Sequence, residues 1–393
     1  MATVAAARAE TAGNDRLERI GFGALLAFVA ALQFSIAIAN IFLSVALLMW
    51  LLRLAARRAV FEAPDFFVPL VAYAAITLVS AAFSSDPRAS FIDSKQLVLF
   101  VIVPMVYEFA RGLKAPLVVQ VIISVGAISA AVGVVQYGVL EYNNLGRRAQ
   151  GSLGHYMTYS GLLMLVTCTA VARILFSRDR LWPLLMMPAL LVALAATFGR
   201  SAWVGTVAGV TFLFLLKDFR LMAVLPLVAA LFLVLAPPRI TDRFYSMFDP
   251  HDATRLDRVA MLHVGERMVA TYPLTGVGPT MVEPRYREFL SSSEDQHVNP
   301  HLHNVPVQIA AERGLPALAI WLSLIVTLTA GLVRRLRPGA NDRARFLPAG
   351  ALAAIIAMLA AGQFEYNFGD SEFLMLFLVL MTLPYAATPD VNS

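Results

Sequence analysis

Charge is what this sequence has least of. Only 15% of its 393 residues are Asp, Glu, Lys or Arg, against 59% hydrophobic. Soluble domains carry about 25% charged residues, so a water-surrounded globule is excluded. Cysteine is nearly absent: the single Cys168 leaves no internal disulfide and points to no redox role. Short segments of alternating polarity are missing too, which excludes a β-barrel. No basic surface interleaved with aromatics accompanies the pI of about 9.5, so nucleic acid is not an expected partner. The first 19 residues are polar and lack a small-residue cleavage site after an apolar stretch, so an uncleaved anchor is expected.

What is there instead is a succession of apolar runs of about 15 to 24 residues, the length that crosses a bilayer core. The mean hydropathy is +0.71. The expected fold is all-α: a polytopic membrane protein of about twelve spans. The first nine lie near Ile20–Phe34, Ile36–Leu52, Phe67–Phe83, Gln96–Phe109, Pro116–Val139, Tyr156–Phe176, Trp182–Phe198, Ala202–Leu216 and Leu221–Ala236. Three more lie near Val305–Leu332, Phe346–Gln363 and Phe373–Tyr385. The uncharged run from Ile20 to Leu52 is too long for one span and short for two. Charge decides for two, in a hairpin. That count places Arg53, Arg57, Arg58, Arg111, Lys114, Arg173, Arg334 and Arg335 with the amino terminus inside, and leaves the short outer loops only Arg88, Lys95, Arg147, Arg148 and Arg200. Positive charge concentrated inside is the expected bias.

Three blocks follow: spans over 1–236, a large outer loop over 237–304, and spans over 305–393. The loop has helical texture. Leu256, Ala260 and Val264 share a face, Pro273 with Gly276 and Gly278 breaks the run, and a second short helix is expected over Met281–Leu290. The expected result is a helical lid on the membrane domain. All six histidines, His155, His251, His263, His297, His301 and His303, fall on the outer side in this topology. Groups that titrate near neutrality thus gather on one face. Arginines in the outer loops run against the charge bias, and guanidinium pairs with phosphate, so a phosphorylated lipid outside fits them.

Three short motifs carry this polar chemistry. The first is Gly199-Arg200-Ser201-Ala202-Trp203 at a helix start. The second begins at Arg258 and closes with Tyr272-Pro273-Leu274-Thr275-Gly276-Val277-Gly278. The third is His301-Leu302-His303-Asn304, followed by Gly314. Their order and placement around the large loop resemble the O-antigen ligase and Wzy-polymerase superfamily. The resemblance implies transfer of a glycan from an undecaprenyl-pyrophosphate donor to a lipid A-core acceptor. The reaction would run on the periplasmic face of the bacterial inner membrane, without metal or other cofactor. It also implies His303, Arg200 and Arg258 as catalytic residues, with Arg147, Arg148, His301, Asn304 and Arg267 binding substrate. Family members often carry a tryptophan four residues after the loop arginine where this chain has Leu262, so Arg255 and Arg267 stand as alternatives to Arg258.

The chemistry is coherent with the residue types. A lipid pyrophosphate is already a good leaving group, so catalysis needs its charge neutralised and the acceptor hydroxyl deprotonated. Fixed arginines do the first and a neutral histidine the second. Asn304 is placed to cap a helix beginning Val305-Pro306, whose positive end favours neutral imidazole and attracts phosphate.

Structural readings stand beside these. His303 could be a hydrogen-bonded cap, and Arg200, Arg147 and Arg148 contacts to lipid headgroups. His297, His301 and His303 with Glu294 and Asp295 could hold a metal, although their spacing matches no strong zinc pattern. The tripeptide Glu141-Tyr142-Asn143 recurs as Glu365-Tyr366-Asn367, read as coincidence with the acids pairing arginines. Two other functions compete: a repeat-unit polymerase, which would favour two large outer loops, and a lipid or solute transporter. The latter predicts intramembrane charges and broken helices repeated in two halves, and the spans here are nearly free of charge.

Overall fold

A computed structural model of the chain describes residues 16–138, 148–249, 252–291, 297–336 and 344–387. Among the described residues every regular element is helical. Five helices are long and apolar enough to cross a membrane: Ile36–Ala55, Pro87–Phe109, Lys114–Gly138, Tyr156–Phe176 and Val305–Arg335. Other expected spans correspond to shorter helices, so length by itself does not yield twelve crossings.

The uncharged first run divides into α1 (Arg16–Ala31) and α2 (Ile36–Ala55), which pack together. The chain turns at Gln33 and Phe34, and Ser35 caps α2 by accepting from Ile38 N–H. After α3 (Phe67–Ala82), the expected span at Gln96–Phe109 is composite. It starts at α4 (Pro87–Asp93), capped by Asp86, tightens to a 3-10 stretch over Ser94–Val101, and ends as α5 (Ile102–Phe109). The Asp-Pro start places the helix about two and a half turns earlier than hydropathy does.

The centre of the bundle is α7 (Tyr156–Phe176), α15 (Phe346–Ala361) and α16 (Ser371–Ala387), whose side chains are nearly all buried. Around them stand α6 (Lys114–Gly138), α8 (Leu181–Ala196), α9 (Arg200–Lys217) and α14 (Val305–Arg335). Glycine lets α9 approach α15 closely. A Cβ on Gly205 would sit 2.6 Å from Ala357 O, and one on Gly209 2.9 Å from Ala353 O. By contrast α10 (Val224–Leu235) buries no residue, and Leu227, Leu231, Val234 and Leu235 are exposed. An apolar helix that sets Phe232 against Trp203 and Phe244 but leaves most of its surface uncovered suits a lipid surround.

One end of the bundle holds a charged network. Arg53 bonds Glu18 at 3.3 Å and Glu108 at 3.0 Å, Arg111 bonds Glu62 and Glu108, and Lys114 bonds Glu18. The other end carries the segment between α10 and α14, which has a small core of its own around Met261, Val264, Met268, Met281 and Tyr286. It contains α11 (Pro238–Tyr245), α12 (Ala253–Thr271) and α13 (Val282–Arg285). Two expectations are corrected here. The buried stripe of α12 runs through Ala260, Met261, Val264 and Met268, while Leu256 is 55% exposed, because the first turn of α12 projects past the core it covers. The second short helix covers only Val282–Arg285 and passes into a 3-10 turn, Tyr286–Glu288.

This segment is laced to the bundle through a break in α14. Gly314 has φ +80 and ψ 168, which interrupts the helix and frees the carbonyls before it. Val277 N–H donates to Ala311 O at 2.8 Å and Gly278 N–H to Glu312 O at 2.9 Å. Ser80 Oγ donates to Thr275 O and Glu312 O from the neighbouring α3. The glycines are required. A Cβ on Gly276 would meet Glu312 C at 2.2 Å, and one on Gly314 would meet Leu274 O at 2.3 Å.

Candidate functional site

The site forms where the loop segment meets the starts of α7, α9, α14 and α16. Asn304 caps α14, accepting from Val307 N–H at 3.0 Å. The residue before it, His303, has φ +47. A left-handed non-glycine residue costs roughly 1–2 kcal/mol and persists where its surroundings fix it. Here Leu302 N–H donates to Gln308 Oε1 at 2.7 Å and Val305 N–H to Gly362 O at 2.7 Å. Asn304 Nδ2 donates to Gln363 O at 3.3 Å. These bonds hold both sides of His303 and turn its ring to the connection after α15. Four described non-glycine residues have positive φ, and three of them, Phe198, Thr280 and His303, belong to this end of the molecule.

In that connection Glu365 Oε1 lies 3.0 Å from His303 Nδ1, with both side chains 14% exposed. Burial pushes the Glu365 carboxyl up, but its hydrogen bond to His303 and the charges of His303, His301 and Arg258 hold it below the usual range. An ionised carboxylate only accepts, so Nδ1 carries a proton, and the neutral form of the ring is the tautomer with its lone pair on Nε2. The His301 ring lies 4.9 Å from that of His303. Burial, then the neighbouring His303, lowers the His301 pKa, so that imidazole is neutral near pH 7.

Arg200 is the first residue of α9, aimed by the left-handed Phe198 and by Gly199. It is 9% exposed and donates to Ser246 Oγ at 3.1 Å and Asp252 Oδ1 at 3.2 Å. Asp252 also caps α12, accepting from Arg255 N–H at 3.2 Å. Burial pushes Asp252 up, but the bond and charge of Arg200 bring it below the carboxylate range. From α12, burial lowers the pKa of Arg258, opposed by the charge of Glu365. Its guanidinium nonetheless stays charged at any physiological pH.

Two cavities flank the histidines. One, of 540 Å³, is lined by Arg200, Arg255, Arg258 and His303 and walled by Val204, Val259, Leu262 and Phe364. The other, of 260 Å³, is lined by His155, His301, Glu365, Tyr366, Asp370 and Asp93, among others. Helix starts face both: His155 caps α7, Gly199 precedes α9 and Asn304 caps α14. At the larger cavity the positive end of α9 adds to the arginines in favouring anions, whereas at the smaller that of α7 faces four carboxylates. His301, His303 and Glu365 place donor atoms within 4.8 Å of one another, a set that could hold a metal ion such as zinc. That set uses Glu365 in place of the expected His297, and Glu294 and Asp295 lie outside the described residues.

Residues 185–322 match a family model described as O-Antigen ligase. Over that stretch, roughly a third of the chain, the protein is similar to the O-antigen ligase family. The matched stretch runs from within α8 to within α14, and so takes in Arg200, Arg258 and His303 but stops short of Glu365. Several apolar helices together with the O-antigen ligase match make the chain a multi-pass membrane protein. No curated protein matches it.

Of the residues that the O-antigen ligase resemblance singled out, the structure brings together Arg200, Arg258, His301 and His303. Asn304 lies behind them as a helix cap. Arg148 rests its guanidinium 4.4 Å over the Tyr156 ring, near Arg243 rather than in either cavity. Arg267 donates to Phe289 O at 2.6 Å and lines neither cavity, so it holds the loop together. Arg147 lies outside the described residues. Glu365 and Asp252 join the site without having been expected there, and Arg255, the alternative to Arg258, lines the larger cavity beside it. For Glu365 a signal existed in the Glu-Tyr-Asn tripeptide. Its second copy, at 365–367, lines the smaller cavity, and its first lies outside the described residues.

Proposed function

We propose that the protein transfers a glycan from undecaprenyl pyrophosphate to lipid A-core at the periplasmic face of the inner membrane. The observation that carries this reading is His303, opening into an arginine-lined cavity with Glu365 behind its ring. Among the described residues the cavity is lined by three arginines and no carboxylate, which suits a pyrophosphate. Its apolar wall of Val204, Val259, Leu262 and Phe364 suits the first isoprene units of the carrier.

The acceptor hydroxyl attacks the anomeric carbon of the donor sugar. A carbon–oxygen bond forms there as the bond from that carbon to the phosphate oxygen breaks. The hydroxyl proton passes to His303 Nε2, and Glu365 stabilises the imidazolium through Nδ1–H. Undecaprenyl pyrophosphate departs with the electron pair, its charge met by Arg200 and Arg258. A base of this kind contributes about 10²- to 10⁴-fold, and fixed donors stabilise the developing charge without reorganising.

The test uses the full chain in nanodiscs with lipid-linked glycan and core acceptor, with and without EDTA. The expected product is polymer on core, formed equally in both. Activity lost in EDTA and restored by zinc would replace the arginine mechanism with a His301–His303–Glu365 metal centre. Lengthening of the carrier-linked glycan with the core unmodified would make the protein a polymerase.

A further inference from the structure

The two cavities meet at the histidines but differ in charge. Among the described residues the larger presents Arg200, Arg255 and Arg258 and no carboxylate. The smaller presents four carboxylates, Asp93, Glu312, Glu365 and Asp370, against one guanidinium, Arg313, which is itself paired with Glu312. His303 lines the first cavity while Glu365 and His301 line the second, so one imidazole–carboxylate contact of 3.0 Å forms the boundary. A hydroxyl on a ring seated in the smaller cavity would project past this contact to meet His303 Nε2 on the arginine side.

The smaller cavity is also built to receive hydroxyl groups. Asn367 is 7% exposed and lines it. Its Nδ2 donates to Met358 O at 3.3 Å, but its buried Oδ1 has no partner among the described residues. A buried acceptor left unpaired is unfavourable, and a ligand hydroxyl or amine would remove that cost. Asp370 accepts from Thr158 Oγ1 and from Phe373 N–H, at 2.9 Å for the latter, and this fixes its carboxylate at the start of α16. Carboxylates accept hydrogen bonds and donate none while ionised. A volume of 260 Å³ leaves room for a sugar ring.

We propose that this acidic cavity seats the sugar ring bearing the attacking hydroxyl and selects rings carrying hydroxyl or amino groups over rings carrying phosphate or carboxylate. The proposal rests on the transferase reading for the word "attacking". The selection by charge does not depend on it. Segregated charge also sorts the two substrates: the pyrophosphate is drawn to the arginines and repelled from the carboxylates, so donor and acceptor cannot exchange places. Like charges brought together at a binding site disfavour the wrong partner.

Binding of methyl glucoside, methyl glucosaminide and methyl glucuronide to the full chain in nanodiscs, followed by saturation-transfer NMR, tests this. The first two are expected to bind, with the glucuronide about tenfold or more weaker. Asp93 is exposed, so Asp93→Lys puts little at risk in the fold; it is expected to narrow the gap by about tenfold. Arg258→Ala is expected to weaken capture of undecaprenyl pyrophosphate while leaving the sugar preference unchanged. Glucuronide binding as well as glucoside to the unmodified chain, no sugar binding at all, or a preference indifferent to Asp93→Lys would overturn the proposal. Intact sugar selection in a protein that transfers nothing would overturn the transferase reading and leave the cavity assignment standing.

Discussion

His303 and Glu365 stand 62 positions apart in the chain and meet at 3.0 Å, Nδ1 to Oε1, at the boundary of two cavities of opposite charge. The contact fixes which ring nitrogen is free, and that nitrogen is the one a base needs. Glu365 is accordingly a positioning residue. Glu365→Gln keeps the shape but offers His303 an amide, which neither fixes the tautomer nor stabilises imidazolium. The expected outcome is a fall in kcat of about 10- to 10³-fold with little change in donor KM. Equal losses in Glu365→Gln and Glu365→Asp, accompanied by a lower melting temperature, would mean a purely structural role.

The arginines divide by their partners. Arg200 is braced by Ser246 and Asp252, whereas Arg258 reaches the cavity from α12 with Glu365 nearby. Arg258→Ala is expected to reduce transfer by about 10²-fold or more, and Arg258→Lys to restore only part, because an ammonium lacks the planar fork. Asp252→Asn is expected to weaken donor binding through Arg200 without touching the base. Rates of transfer and retention of labelled undecaprenyl pyrophosphate separate the two effects.

Gly276 and Gly314 fasten the loop to the break in α14. Each has positive φ, and an added Cβ would strike backbone atoms of the other segment at 2.2 and 2.3 Å. Gly276→Ala and Gly314→Ala are each expected to destabilise the protein by more than about 2 kcal/mol. Gly23→Ala meets nothing within 4 Å and serves as the neutral control. Thermal unfolding in detergent gives the comparison.

Burial, followed by the His303 charge, lowers the His301 pKa, with Glu365 and Glu283 opposing and His155 adding to the fall. The folded protein therefore binds fewer protons than the unfolded chain below about pH 6.5, the ordinary histidine value. The stability from neutral His301 is present above that pH and is lost as pH falls through the window below it. Glu365, also depressed, loses its contribution in a separate window that opens near the ordinary carboxylate value of about 4.3. His301→Gln is expected to flatten the melting temperature between about pH 6.5 and 5 and to leave the more acidic decline in place. A decline unchanged by the substitution would assign that window to another group.

Much of the architecture is legible in the sequence because apolar runs of bilayer length leave little choice of conformation. Arg200 and His303 are legible for a related reason. Arg200 follows Gly199 and His303 precedes the Asn304 cap, each a signal that punctuates a helix, whereas Arg258 stands inside α12 and is legible through the motif resemblance alone. Glu365 is not legible in that way, because its role exists only once the left-handed turn at His303 aims the ring at a connection two helices later. Arg267 shows the opposite failure. Its spacing to Gly278 resembles a loop motif, but its position on α12 faces Phe289 and the loop core. Leu256 fails for a third reason: helical periodicity tells which residues share a face but not how far along the helix the covering core extends.

Single-turnover transfer by His303→Ala, measured beside donor binding in the same nanodisc preparation, bears most directly on the base assignment. Donor affinity is expected to stay within about threefold of the unmodified chain, because arginines and apolar contacts hold the carrier. The chemical step is expected to slow by about 10²- to 10⁴-fold. Full turnover by His303→Ala would contradict the account at its centre.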